Sequence, residues 1–273
     1  MVYPTKFGYD LAPLQCQQRG EIITMKTISV AVFSPTPDFN QLDLAKKVTA
    51  LVEQIQKAYR MAKTANAATT VVFLCPEFTF VNPADKTYAA YTKEQMQEVQ
   101  AELQLLCHAI GNDLIILPGT ARTTHTKQDA NLKNITKSTL FGSHNIKINK
   151  RGKGQLDLTN GDGIEKIFEN NGLFNRNGIR FGIEIADDHQ LGMLKRMAGI
   201  YETTVDVHIV LASGTALQRD KLVNQTNVIA IIANSLTEDN NTLTTQPKII
   251  RFDASGRAHE INPIDINSTL KIF

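Results

Sequence analysis

Three segments of the chain place ionisable side chains directly after strand-like sequence, where they could take part in chemistry. Glu77 follows the apolar run VVFL in the segment CPEF, and Lys147 lies in IKINKRGKG together with Lys150. The segment RFGIEIADDH, residues 180–189, ends in two aspartates and a histidine. A positioned carboxylate can act as a general base, and an ammonium group can stabilise a developing negative charge. Strand ends in α/β proteins hold such groups rigidly beside loops that shape a cleft.

Each of these segments also has a purely structural interpretation. Glu77 could be a solvated loop carboxylate, and a run of lysines is usually a solvated face. Asp187 or Asp188 could cap a helix that begins near Leu191. Asp187, Asp188 and His189 could instead bind a metal ion, but the six histidines form no second cluster with ligand spacing, so we predict no metal and no cofactor. The chain has no GxSxG, P-loop or GxGxxG motif, so serine-hydrolase and nucleotide-binding functions lack a signature.

The first half of the chain predicts alternating strands and helices that would position Glu77. Strands are predicted in TISVAVFS from Thr27, in TTVVFL at 69–74 and in DLIILPG at 113–119. A first helix is predicted from apolar residues at helical spacing, which are Leu44, Val48, Leu51, Val52, Ile55, Tyr59 and Ala62. Thr92 and Gln95 form a capping box for a second helix, which ends at Gly111.

The second half is richer in strands. They are predicted at 135–150, 179–185, 207–211 and 228–233, with a terminal hairpin of 248–253 and 257–261, and one helix is predicted at 191–202. The strands VVFL and LIIL are apolar throughout, so we expect both to be buried on two faces, with helices on one side and a second sheet on the other. The sequence therefore predicts an α/β fold of helices layered on sheets.

Composition favours one ordinary globular domain. The chain has 273 residues, 42% of them hydrophobic, and a net charge of +2, which gives no electrostatic reason to expect nucleic acid or an anionic membrane. We predict a single domain at 25–273 and an N-terminal extension of open role at 1–24. Three cysteines in separate segments predict free thiols in a reducing compartment. No signal-peptide core and no run of about 18 apolar residues is present, so we predict a cytoplasmic protein without membrane spans.

Taken together and in this order, the three segments resemble the nitrilase superfamily, the carbon-nitrogen hydrolases. That family has a glutamate in a PE motif, a lysine downstream and a cysteine in an ICxD motif. The matching segments are FLCPEF at Glu77, NIKIN at Lys147 and GIEIADD at 182–188. The resemblance extends from about Thr27 to Gly256 and implies a four-layer α-β-β-α sandwich.

The resemblance also implies a Glu-Lys-Cys mechanism. It assigns general-base catalysis to Glu77, charge stabilisation to Lys147 and to the backbone N–H of Asp187, and a structural role at the turn to Asp188. Lys150 is the alternative lysine, and Gln155 or Asp157 could occupy the place of a second supporting carboxylate. The residues expected to line the substrate pocket are Phe78, His189 and Ser213. Polar loops around them favour a small polar amide as substrate.

Residue 186, where the family has its nucleophilic cysteine, is alanine. The chain as written is therefore predicted not to turn over. Either the cysteine was deliberately changed to alanine, or the protein is a natural pseudoenzyme that binds a ligand or a partner protein. The presence of both Glu77 and Lys147 favours the first explanation.

A different hypothesis makes the protein an interaction scaffold that pairs with its own copy. The resemblance implies a homodimer, and the segment 191–203 carries an apolar stripe that could form the contact. Core packing is the alternative explanation of that stripe. Its members are Leu191, Met193, Leu194, Met197 and Ile200.

Overall fold

Parallel strands joined by helices form the first half of the chain. The computed structural model describes residues 27–84, 91–111, 113–124, 135–140, 146–149, 172–235, 247–262, 264–267 and 270–272. For the described residues within 122–149 and 264–272, only the backbone is described. The predicted N-terminal extension, Cys16, Lys150, Gln155 and Asp157 lie outside the described residues.

Two long helices follow the first and second strands, as predicted. Helix α1 is Pro37–Gln41, α2 is Leu44–Ala65 and α3 is Lys93–Ile110. The side chain of Asp43 accepts the N–H of Lys46 at 2.9 Å and so caps α2. Thr92 and Gln95 form the predicted capping box of α3, and Gly111 follows its last residue.

The described residues form three sheets. The first has the order β14-β15-β1-β2-β4, with strands β1 Ile28–Phe33, β2 Thr70–Leu74, β4 Leu114–Leu117, β14 Ile264–Asn267 and β15 Leu270–Ile272. The second is small and has the order β3-β5-β6-β7, with β3 Tyr91–Thr92, β5 Thr120–Thr124, β6 Ile135–Leu140 and β7 Ile146–Asn149. The predicted strand 135–150 is thus two antiparallel strands, β6 and β7.

The third and largest sheet has the order β13-β12-β11-β10-β9-β8. Its strands are β8 Leu173–Arg176, β9 Ile179–Ile185, β10 Val207–Ser213, β11 Val228–Ser235, β12 Lys248–Phe252 and β13 Ala258–Ile261. Strands β9, β10 and β11 are parallel, so their carboxyl ends lie at one edge of the sheet. A 3-10 turn at Arg219–Lys221 follows β10.

Apolar side chains fill the space between the first and the largest sheet. Val30, Val72 and Leu117 of the first sheet pack in one cluster with Ile183 and Ile209 of the largest. A second cluster joins the other face of the first sheet to α2 and α3. Strands β2 and β4 are buried at every position, which confirms the prediction that both of their faces are covered.

The helix predicted at 191–202 is two short helices, α4 Asp187–Leu191 and α5 Met193–Ile200. Gly192 separates them in the left-handed conformation, with φ of 63°, which breaks the helical path. Ala186 occupies the N-cap position of α4 and Gly192 that of α5, both without a side-chain cap bond, so the alternative in which Asp187 or Asp188 is the N-cap residue does not hold.

Core packing accounts for most of the apolar stripe on 191–203. Its buried members are Met193, Leu194 and Met197, whereas Ile200 is exposed. Cys75 and Cys107 are free, buried thiols, as predicted for Cys107. Among the described residues, no helix combines the length and apolarity required to cross a bilayer.

Candidate functional site

Glu77 lies in the turn that follows β2, and the fold buries it. Its side chain is 2% exposed, which excludes the interpretation as a solvated loop carboxylate. Its backbone N–H donates to the carbonyl of Ala212 in β10 at 3.2 Å. The turn that follows β2 of the first sheet is therefore hydrogen-bonded to the largest sheet near the carboxyl end of β10.

The turn around Glu77 is closed by hydrogen bonds on both sides. Phe78 has a left-handed φ of 61°, and its N–H donates to the Thr120 hydroxyl at 2.8 Å. The Thr79 hydroxyl donates to the Pro76 carbonyl at 2.8 Å. Phe78 is half-buried and follows directly on Glu77, and its place beside a substrate pocket stays a prediction.

The turn around Glu77 requires a glycine at position 119, because the backbone of Gly119 lies directly against Pro76 and Thr79. Its φ is 85°, and a Cβ atom there would collide with the Pro76 carbonyl and the Thr79 side chain. Gly119→Ala is expected to lower the free energy of unfolding by about 1–3 kcal/mol more than Gly214→Ala. Gly214 has a similar φ of 77° but open space within 4 Å, so it carries the backbone strain without the collision. Chemical denaturation of both variants measures the difference, and equal losses would contradict the collision.

Residue 186 lies at the end of β9 in a strained backbone conformation. Ala186 has φ of 38° and ψ of −101° and is 2% exposed. Its N–H donates to the Leu211 carbonyl at 2.9 Å, and its own carbonyl accepts the N–H of His189 at 2.9 Å. An outlier of this kind costs about 1–3 kcal/mol and persists only where the surroundings hold it, which is typical of functional turns.

Glu77 and Ala186 meet at the same end of β10. The acceptor of the Ala186 N–H is Leu211, and the acceptor of the Glu77 N–H is the next residue, Ala212. Ser213, predicted to line the pocket, follows as the last residue of β10 and is half-buried. Three segments that are far apart in the sequence therefore converge where ligands bind in open α/β sheets.

Lys147 lies on β7, where its backbone pairs with Thr139 of β6. Strand β7 contacts β9, the strand that leads to residue 186. The side chain of Lys147 is not among the described parts, and neither is Lys150. The choice between the two lysines stays a prediction.

Asn234 holds the loop that begins at Ser213. Its side-chain oxygen accepts the N–H of Gly214 at 2.8 Å, and its amide donates to the Thr215 carbonyl at 3.1 Å. Asn234 is 3% exposed, so both bonds are shielded from water. The loop after β10 is thereby fixed beside Glu77 and Ala186.

A buried polar network lies next to the turn at residue 186 and is connected to it through His189. Glu184 of β9 accepts from His189 Nδ1 at 2.6 Å and from His208 Nε2 at 2.7 Å through the same oxygen, Oε1. Its other oxygen accepts the N–H of Leu194 at 3.2 Å. All three ionisable side chains are fully buried. Burial alone would raise the pKa of Glu184, but the two histidine hydrogen bonds outweigh it and lower the pKa to about 2.

The backbone fixes the tautomers of both histidines. His189 Nε2 accepts the N–H of Gln218 at 2.8 Å, and His208 Nδ1 accepts the N–H of Val223 at 3.3 Å. Each histidine must therefore carry its hydrogen on the nitrogen that faces Glu184.

Within the described residues, Glu184, His189 and His208 are the group whose ligand atoms lie close enough, within 4.8 Å, to suggest a metal site. A metal ion would need lone pairs on the two nitrogens that carry hydrogen here. The donor set therefore does not fit a metal ion. Both ring nitrogens of His189 are hydrogen-bonded within the protein, to Glu184 and to the Gln218 N–H. Neither is free to contact a substrate, which differs from the expectation that His189 lines the pocket.

Solved structures with the same arrangement of elements identify the fold. Nit3 from Saccharomyces cerevisiae, a member of branch 10 of the nitrilase superfamily, is 18% identical over 91% of this chain and 90% of that one, with a TM-score of 0.55. A cysteine-to-alanine variant of the amidase from Nesterenkonia sp. AN1, in complex with butyramide, is 12% identical over 90% of each chain, with a TM-score of 0.57. The chain has the nitrilase-superfamily fold.

Comparison by sequence finds no relative of the chain: no protein-family profile matches it, and no curated protein sequence does. Glutamine-dependent NAD+ synthetase from Acinetobacter baumannii is a further structural neighbour, at 14% identity and a TM-score of 0.55, and the match covers 90% of this chain and 45% of that one.

Cys75 and residue 186 lie in different apolar clusters. The Cys75 side chain packs in the apolar cluster under α2 and α3, whereas Ala186 belongs to the cluster between the sheets. Burial raises the pKa of the Cys75 thiol well above its usual range, which disfavours the thiolate.

Glu184 and His208 were not predicted from the sequence as parts of a site. The signal for them is present, because each interrupts an apolar strand, Glu184 in FGIEI and His208 in VHIVL. A charge in a strand buried on two faces has to be paired or neutralised. Which partner it finds depends on the pairing of β9 with β10, which places His208 beside Gly182.

The buried Lys47 of α2 anchors the chain just after the Glu77 turn. Its ammonium donates to the carbonyl of Val81, which also accepts from the hydroxyl of Tyr91 at 3.0 Å. Lys47 is buried although it is not part of the predicted apolar stripe of α2. Burial lowers the pKa of Lys47 to about 8 from a usual value of 10.5.

Lys47 should make stability increase with pH. Between a pKa of about 8 in the fold and 10.5 in the unfolded chain, the unfolded state binds more protons, so raising the pH favours the fold. We expect the free energy of unfolding to rise by about 2 kcal/mol from about pH 7 to about pH 9.5, relative to Lys47→Met.

Urea denaturation at several pH values measures this difference between the two proteins. Burial, aided by the charge of Asp43, raises the pKa of Tyr91 to about 12, and this destabilises the fold only above a pH of about 10, outside the window. If the difference in unfolding free energy between the two proteins stays constant over this pH range, the lowered pKa of Lys47 is contradicted.

Proposed function

We propose that the chain is built as an amidase-type hydrolase of carbon-nitrogen bonds, in which alanine occupies the position of the nucleophile. The main supporting observation is that the backbone N–H groups of Glu77 and of the strained residue 186 donate to neighbouring carbonyls of β10. A buried carboxylate beside a turn that aims one residue at the sheet edge is an arrangement suited to a base and a nucleophile. The nitrilase-superfamily fold supports the same chemistry.

The structural neighbours provide a parallel for the alanine. The Nesterenkonia amidase binds butyramide in its cysteine-to-alanine form, and another form of it carries acrylamide added at its active-site cysteine. Removal of one sulfur atom leaves the rest of a pocket able to hold an amide. We propose that this chain, with Ala186, likewise binds a small amide without hydrolysing it.

With a thiol at residue 186, the reaction would proceed in two halves. Glu77 takes the thiol proton, the sulfur attacks the amide carbon, and the C–N bond breaks as the nitrogen leaves with a proton as ammonia. Water, deprotonated by Glu77, then attacks the thioester, which releases the carboxylic acid and returns the proton to the thiol. Lys147 and the backbone N–H of Asp187 would stabilise the negative oxygen that develops in each half.

The finer features of the proposal follow from the same arrangement. Phe78 and Ser213 lie beside Glu77 and Ala186, and we assign them to the pocket wall, whereas His189 supports the turn from behind. Helices α4 and α5 bond to Glu184 on β9, and α2 and α3 cover the first sheet. These contacts support the four-layer α-β-β-α sandwich.

A homodimer in the cytoplasm completes the proposal. Ile200 is 56% exposed at the end of α5, whose other apolar residues are buried. Light scattering of the purified chain decides the oligomeric state. A monomer at all concentrations would reject the dimer and leave the chemistry untouched.

Two experiments test the function. Ammonia release from a panel of amides and nitriles by the Ala186→Cys chain tests the enzyme scaffold. Calorimetric titration of the Ala186 chain with the same amides tests binding. Binding without any release after the change would support a natural pseudoenzyme, and the absence of both would reject the proposed function.

A further inference from the structure

We propose that His189 is a positioning residue that holds the turn at residue 186 through its hydrogen bond to Glu184. The inference rests on the proposed function of this turn, and it assigns a task to a network that the mechanism does not use. Three features carry it: the segments that the His189 ring joins, the weakness of the other supports of the turn, and the difference between the two ring nitrogens.

His189 joins three segments of the site through its backbone and its ring. The backbone N–H of His189 donates to the Ala186 carbonyl at 2.9 Å and closes the turn. Ring atom Nδ1 donates to Glu184 of β9 at 2.6 Å, two residues before the turn. Ring atom Nε2 accepts the N–H of Gln218 at 2.8 Å, in the loop that begins directly after Ser213.

The turn needs such support because its own helix is weak. Helix α4 has only 5 residues, no side-chain cap at Ala186 and a left-handed Gly192 at its end. Short helices do not hold themselves together in water. The strained φ of 38° at Ala186 also persists only if the surroundings over-determine it. A fully buried, charge-assisted hydrogen bond is a strong constraint of this kind.

The two ring nitrogens can be separated by substitution. In His189→Asn the amide nitrogen can occupy the place of Nδ1, which keeps the bond to Glu184 and gives up the bond to Gln218. In His189→Gln the longer side chain reaches the place of Nε2, which keeps the contact with Gln218 and gives up the bond to Glu184. Each variant loses one buried hydrogen bond, and the bond to the charged Glu184 carboxylate is the costlier one to lose, so folding of both variants has to be measured.

Both variants are made in the Ala186→Cys chain, and ammonia release gives kcat and KM. We expect His189→Gln to lower kcat by about 10²-fold with KM changed by less than about 3-fold, because a displacement of about 1 Å at the reacting atom has that effect. His189→Asn should retain kcat within about 5-fold of the parent. Thermal denaturation verifies that the two variants are equally folded.

A second measurement does not depend on catalysis. The rate at which iodoacetamide alkylates the thiol introduced by Ala186→Cys, followed by peptide mass spectrometry, reports how the turn presents that thiol. We expect His189→Gln, and not His189→Asn, to change this rate by about 10-fold or more.

The outcomes separate this inference from the proposed function. If the Ala186→Cys chain releases no ammonia but the alkylation rates differ as expected, the proposed function fails and the positioning role stands. Equal alkylation rates and equal kcat values for the two variants would overturn the positioning role. A larger loss in His189→Asn would overturn it as well, because it would assign the support to Gln218.

Discussion

Replacing Ala186 with cysteine is expected to raise the rate of ammonia release from small amides by about 10³-fold to 10⁶-fold over the alanine chain. Loss of a covalent nucleophile costs a factor of this order in hydrolases that keep the rest of their site. Glu77 is buried, and its backbone and that of the strained residue 186 are bonded to neighbouring carbonyls of β10, so the proposed base and the proposed position of the nucleophile lie at the same strand end. The substitution adds one sulfur atom to the methyl group of Ala186.

The comparison is made with equal amounts of both proteins over a panel of primary amides and nitriles. Ala186→Ser is the matched control, since its hydroxyl has nearly the same size but is a weaker nucleophile than a thiol. It should stay near the alanine background. The buried thiols of Cys75 and Cys107 are common to all three proteins, so any gain is due to residue 186. Equal rates for the cysteine and alanine chains on every substrate would reject the enzyme scaffold.

The second large effect is expected for Glu77→Gln in the Ala186→Cys chain. The amide has nearly the shape of the carboxylate but cannot take a proton, so kcat should fall by about 10²-fold to 10⁴-fold. KM should change little, because the substitution removes a role in the transition state and leaves the size of the pocket unaltered.

Glu53→Gln is the matched control for this experiment. It makes the same chemical change at an exposed position of α2 and should leave kcat unaffected. Thermal denaturation of both variants excludes a general loss of folding. A kcat for Glu77→Gln within about 3-fold of the parent would show that another group acts as the base.

The positions of the two substitutions show which part of the proposed site the sequence predicted and which part it did not. Glu77 and Ala186 each appear at the end of an apolar strand, and such strands were predicted well. Strand β9 begins and ends where the alternation in the sequence indicated, at Ile179 and Ile185. Their meeting at Leu211 and Ala212 depends on a third strand, and no local pattern predicts which carbonyl a distant N–H will reach.

Burial of polar groups was equally hard to predict. Lys47 lies one residue before Val48 in α2, and the predicted apolar stripe does not include it. The fold instead places its ammonium on the Val81 carbonyl, since a buried cation needs an acceptor and this carbonyl is the one that the turn provides. Glu184 likewise needed His189 and His208, which only the α4 turn and β10 bring within reach.

Residue 186 shows which features the sequence determined and which the tertiary structure determined. The sequence by itself determined the strand that ends at Ile185, the two long helices, the capping box of α3, and an alanine within a pattern that resembles a nucleophile motif, because these depend on near neighbours along the chain. Only the tertiary structure decided that the alanine lies in a strained turn at the same end of β10 as the buried Glu77 and next to the Glu184 network. Those contacts join residues from separate strands, and their free energy exists only once the sheets have packed.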